Sequence, residues 1–107
     1  MVRQLGQVKV IAREAISRLR DRITVKEAYL FGSYSQGSAD GDSDIDIAVF
    51  SPSVENMAIE EKIELISRVQ KEVGSEVEIH LFPECYLKEA RPTNFYGHIL
   101  STGIVIE

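Results

Sequence analysis

Tryptophan is absent from this chain of 107 residues, cysteine occurs once and proline three times. With Cys85 alone, an internal disulfide cannot form, which fits a reducing compartment, and the expected location is cytoplasmic. Cys85 has no second cysteine or histidine at ligand spacing, so its expected role is that of a small buried hydrophobe. Long apolar runs are missing too: none approaches the ~18 residues of a membrane span. The opening Met1–Gly6 carries no signal-peptide core. Positive charge is in deficit, with 12 Lys and Arg against 17 Asp and Glu and a net charge of -5. A polyanion backbone is bound by clustered positive charge, so this balance argues against a nucleic-acid partner. What remains is 44% hydrophobic and 27% charged residues with seven glycines. That is the make-up of a soluble globular chain, expected to form one domain over residues 1–107.

Hydrophobic spacing divides the chain into elements. Leu5, Val8, Ala12, Ala15, Ile16 and Leu19 recur in steps of three and four, which predicts an amphipathic helix ending near Asp21. Ala28–Phe31 reads as a short buried strand stopped by Gly32. Residues 32–43 are rich in glycine, serine and aspartate and read as a loop. From 44 to 50 the chain alternates: Asp44, Asp46 and Ala48 on one face, Ile45, Ile47 and Val49 on the other. Ser53 is the expected N-cap of a second helix, with Ile59, Ile63, Ile66, Leu65, Val69 and Val73 as its core stripe and Gly74 as its stop. Residues 77–82 alternate again, Val77, Ile79 and Leu81 opposing Glu78, His80 and Phe82, until Pro83. Two short helical stretches follow, around 84–90 and 93–101. Gly103 then stops the last helix, and Ile104–Ile106 is an expected edge strand. This order predicts an α/β layer: a mixed sheet with helices packed on one face.

The chemistry concentrates in one place. Aspartate is a poor strand former, so two of them on one face of an apolar strand require a reason. Strand geometry puts the Cβ atoms of Asp44 and Asp46 about 6.5–7 Å apart. On a solvated face the pair needs no explanation; on a buried, empty face like charge would cost several kcal/mol. A divalent cation reconciles burial with charge, since hard ions such as Mg²⁺ take carboxylate oxygens together with substrate phosphates. The loop before the strand supplies the other half. Gly32 permits close backbone approach, and backbone N–H groups with the Ser33 hydroxyl can cradle phosphate oxygens.

Gly32-Ser33, ten further residues, then Asp44-Ile45-Asp46 resembles the signature of the DNA polymerase beta-like nucleotidyltransferase superfamily. The longer stretches Leu30–Gly37 and Ser43–Val49 resemble its minimal nucleotidyltransferases, small proteins often found as the antitoxin of a pair with a helical HEPN-domain toxin. The resemblance covers nearly the whole chain and implies the polymerase beta palm-like fold. It implies a magnesium-dependent enzyme with two ions, held by Asp44, Asp46 and a third carboxylate on a later strand. Glu78 is the matching residue, with Glu76 on the same face as the fallback; relatives more often carry aspartate there. Gly32 and Ser33 would grip the nucleotide phosphates. Gln36 stands where relatives commonly carry an arginine, and it brings no charge. The implied reaction moves a nucleoside monophosphate, AMP from ATP in the first instance, onto a hydroxyl of a protein partner. A larger relative would add a further domain; here a partner is expected to complete the site.

Other readings stand beside this one. Asp40–Asp46 invites a calcium-loop assignment, but an EF-hand needs glycine at loop position six and glutamate at twelve, and counting from Asp40 gives Ile45 and Ser51. Glu78 also reads as a solvated strand residue, His80 as a partly exposed strand histidine or an outer partner of the ions, and Tyr34 as a stacking or packing residue. A catalytically silent protein that neutralises a helical partner by contact alone is the alternative function. A homodimer is left open, with Ile104–Ile106 or the Phe95–Tyr96 helix as candidate interfaces.

Overall fold

A computed structural model describes residues 4–32, 34, 44–89, 91 and 93–106. Helix α1 runs Leu5–Arg20, followed by strands β1 (Glu27–Phe31) and β2 (Ile45–Ser51). A 3₁₀ turn over Pro52–Asn56 leads to helix α2 (Ile59–Val73) and strand β3 (Val77–Pro83). A second 3₁₀ turn (Glu84–Glu89), helix α3 (Phe95–Thr102) and the two-residue strand β4 (Ile104–Val105) complete the chain. The sheet is mixed, in the order β3-β2-β1-β4. β1 lies antiparallel to β2 and β4, while β2 and β3 run parallel.

Alternation decides the two faces. Ile45, Ile47 and Val49 of β2, Ala28 and Leu30 of β1, and Val77 and Ile79 of β3 pack against Val8, Ala12, Ala15, Ile16 and Leu19 of α1 and Leu65 and Val69 of α2. Tyr34 joins this core, so it serves packing. Fully burying an aliphatic side chain is worth about 1.5–3 kcal/mol, and this layer holds most of the large buried side chains. The opposite face is smaller and aromatic. Tyr29, Ala48 and Phe50 pack there with Ile99 of α3, ringed by Phe31, Phe82, Tyr86 and Tyr96. The two long helices thus share one face, and the short α3 covers part of the other. β2 is therefore covered on both sides: every one of its residues is buried except Asp46.

Three local expectations are corrected. Ser53 does not cap α2. Ser51 accepts a hydrogen bond from the Ser53 N–H, Pro52 follows it, and the two start a 3₁₀ turn; α2 begins only after Ala58. Ile59 and Ile63 are 67% and 59% exposed, so they are not core. The helix is turned so that Leu65 and Val69 meet the sheet, and a stripe as wide as the one in the sequence cannot all face it. Cys85 is exposed, because it lies in the 3₁₀ turn over Glu84–Glu89, none of whose residues is buried. Gly74 does end α2, at φ +127°, a conformation suited to glycine. Among the described residues no helix is long and apolar enough to cross a membrane.

Candidate active site

Pairing register builds the site row by row. Phe31 of β1 stands opposite Asp46 of β2, and Asp46 stands beside Glu78 of β3. The next row on the same face is Tyr29, Ala48 and His80. Ala48, the smallest side chain of that row, leaves His80 free to lean toward the carboxylates. The donor atoms of Asp46, Glu78 and His80 all lie within 4.8 Å of one another. His80 Nε2 is 3.6 Å from Asp46 Oδ1, too long for a hydrogen bond but within ion-pair range.

Gly32 closes the site from the β1 side. Its φ is +78°, and a Cβ placed on it would meet Asp46 Oδ2 at 2.5 Å. Glycine is required twice over: for the left-handed backbone, and because the Asp46 carboxylate occupies the space where a side chain would begin.

The electrostatics are unfavourable without a cation. Asp46 is pushed up to about 6, first by burial and then by the hydrogen bond and negative charge of Glu78; His80 opposes this weakly. Ser51 offers a contrast on the same strand. It is also buried, yet its hydroxyl donates to the Thr24 carbonyl and accepts from the Ser53 N–H. Asp46 instead faces a second carboxylate. The polar atom beside it, His80 Nε2, is buried with no hydrogen-bond partner among the described residues. A divalent cation would neutralise the carboxylates and occupy the imidazole lone pair together, so the donor set fits a metal ion.

The expected residues separate. Asp46 and Glu78 meet. Asp44 is exposed, just before β2, and stands outside the three-residue group. The Glu76 carboxylate lies against Gly74 and is also outside it. Ser33 and Gln36 lie outside the described residues, as does most of the 32–43 loop. His80 belongs to the group. Its signal in the sequence was its shared parity with Glu78, but only the β2–β3 register shows which strand residue it faces. A cleft of about 350 Å³ lies away from these groups, between the end of α1 and α2, lined among others by Arg22, Met57, Glu61 and Arg68. Among the described residues, Asp46, Glu78 and His80 are the group whose donors converge, and they are taken as the candidate site.

Residues 12–101 match the model of the nucleotidyltransferase domain. The chain belongs to that family. As a nucleotidyltransferase it is 35% identical over 78 residues to MJ1379 of Methanocaldococcus jannaschii, whose name assigns it protein adenylyltransferase activity provisionally; the match covers 73% of this chain and 78% of that one. It is 38% identical over 80 residues to the protein adenylyltransferase MntA of Shewanella oneidensis, covering 73% of this chain and 52% of MntA. The chain thus spans about half the length of that relative. A solved toxin–antitoxin complex with AMP-PNP aligns at TM-score 0.61 and 28% identity, over 88% of this nucleotidyltransferase and 70% of that chain. A provisionally assigned nucleotidyltransferase from Sulfolobus solfataricus aligns at TM-score 0.65 and 17% identity, covering 98% and 87%, which bears on the fold alone.

Proposed function

We propose that this nucleotidyltransferase moves AMP from ATP onto a hydroxyl of a helical, HEPN-type toxin and so acts as the antitoxin of the pair. The observation that carries the reading is the row Phe31–Asp46–Glu78, which sets two carboxylates against the Gly32 turn. The adenylyltransferase names of MJ1379 and MntA and the AMP-PNP complex of a toxin–antitoxin relative support the choice of nucleotide and partner.

Asp46 and Glu78 would hold Mg²⁺; Asp44, which stands outside their group, is the third carboxylate and two ions the number that the family resemblance implies. Bound there, such ions supply charge neutralisation on the triphosphate. The chain's own groups do the rest. The Gly32 turn and Ser33 receive the β- and γ-phosphates through N–H and hydroxyl donors. The acceptor oxygen forms a bond to the α-phosphorus, the bond from that phosphorus to the bridging oxygen breaks, and pyrophosphate leaves. Glu78, the exposed carboxylate of the group, takes the acceptor's proton. The aromatic wall of Phe31, Phe82 and Phe95 limits water on that side.

The test is transfer from ATP labelled at the α-phosphate, with Mg²⁺ and lysate of the source cells. A labelled protein band with wild type, absent with the Asp44→Asn/Asp46→Asn double variant, supports the reading. No label from any of the four nucleotides refutes it in favour of neutralisation by contact alone.

A further inference from the structure

His80 is held as though it were a ligand. Its ring sits 5.1 Å from that of Phe31, edge-on, and 6.4 Å from that of Phe82, stacked at 17°. Those two contacts fix the plane of the imidazole. They leave Nε2 buried, without a hydrogen bond among the described residues, and directed at Asp46. An unsatisfied buried polar atom costs about 1–3 kcal/mol and is rare in folded proteins. A solvated strand histidine would turn that nitrogen outward, and the side chain is 35% exposed, so water is within reach of the ring. The orientation instead points Nε2 at the one carboxylate of β2.

We propose that His80 Nε2 binds the same ion as Asp46 and Glu78, so that the site prefers a first-row transition ion over Mg²⁺. This rests on reading the carboxylates as the metal site of a nucleotidyltransferase. Mg²⁺ takes oxygen donors almost exclusively and sheds water reluctantly. Imidazole suits the transition ions, and two carboxylates with one imidazole form a mixed N/O set that they accept. A three-carboxylate centre carries no such bias. In this chain Asp44 stands outside the group, and His80 is the donor placed beside Asp46 and Glu78.

Mn²⁺ is the probe, added to the full chain with and without a non-hydrolysable ATP analogue, and read by pulsed EPR and by titration calorimetry. The expected result is electron-spin coupling to a ¹⁴N nucleus in wild type. The coupling disappears in His80→Gln, where Mn²⁺ binds at least about tenfold more weakly, since even outer partners of a metal cost 10–100-fold; Mg²⁺ binding changes by less than about threefold. Mn²⁺ bound by wild type and lost in Asp46→Asn, but with no nitrogen coupling, overturns the role of His80 and leaves the proposed function standing. No binding of either ion, with or without the nucleotide analogue, overturns both. Read without the nucleotide analogue, which carries nitrogens of its own, the coupling in wild type decides the matter even if a variant fails to fold.

Discussion

Replacing Asp46 by asparagine should stabilise the fold at neutral pH while it destroys the activity. The carboxyl titrates near 3.8 when unfolded and at about 6 in the fold, with burial the leading cause. At full weight that difference is worth about 3 kcal/mol against the charged form. The side chain is only partly buried, so solvent screening reduces it to about 1–2 kcal/mol. The folded chain holds this proton more tightly than the unfolded one, so stability falls as pH rises between the two values. The penalty is absent below about pH 4 and fully present above about pH 6. Asparagine carries no such penalty and can hydrogen-bond Glu78. In chelator-treated buffer at pH 7.5, thermal unfolding of Asp46→Asn should lie on the order of 5 °C above wild type. The gap should close at pH 3.5. Adding a divalent ion should raise wild type and leave the variant where it was. Equal melting temperatures at pH 7.5, or a gain of the same size at pH 3.5, would refute the account of a carboxylate held at a cost.

Other substitutions separate the site from its scaffold. Gly32→Ala should lose about 1–2 kcal/mol from its left-handed backbone, and because the new Cβ would meet Asp46 Oδ2 at 2.5 Å, Mn²⁺ affinity should fall at least about tenfold by calorimetry. Ile63→Gln, on the exposed side of α2, should change unfolding free energy by less than about 0.5 kcal/mol in urea, whereas Leu65→Ala two residues on should cost about 2–4 kcal/mol. Asn94 caps α3 by accepting from the Gly97 N–H and also accepts from the Arg91 N–H. Asn94→Ala should therefore cost about 1–2 kcal/mol and speed amide exchange at Gly97.

Much of this was legible from spacing alone. The period-two alternation of residues 44–50 and 77–82 located both strands; the family resemblance pointed to Glu78, and its parity, which Glu76 shares, agreed. Three things were not legible, each because it depends on a partner distant in sequence. The parallel register of β2 on β3 sets Glu78 beside Asp46, and it leaves Asp44 at the exposed end. His80 becomes part of the site only because Ala48 lies next to it in that register. The rotation of α2 about its axis, which exposes Ile59 and Ile63, follows from packing against α1 and the sheet, and six apolar residues of similar hydrophobicity do not reveal which edge of the stripe is covered.

Asp46 and Glu78 are each the second residue of their strands, and the two strands run in the same direction. The reacting groups therefore stand where the chain enters the sheet. Two connections, Gly32 to Asp44 and Gly74 to Glu76, arrive within two residues of them, while the remainder of each strand runs away into the core. Apart from Gly32, Gly74 and the core residue Tyr34, length and composition in those two connections can change with little effect on the buried layer, since loops tolerate variation that strands do not. Under the proposed function, the fold thus keeps the cost of altering its substrate separate from the cost of remaining folded: a new acceptor would require changes at two entrances, and the sheet behind them would keep its sequence.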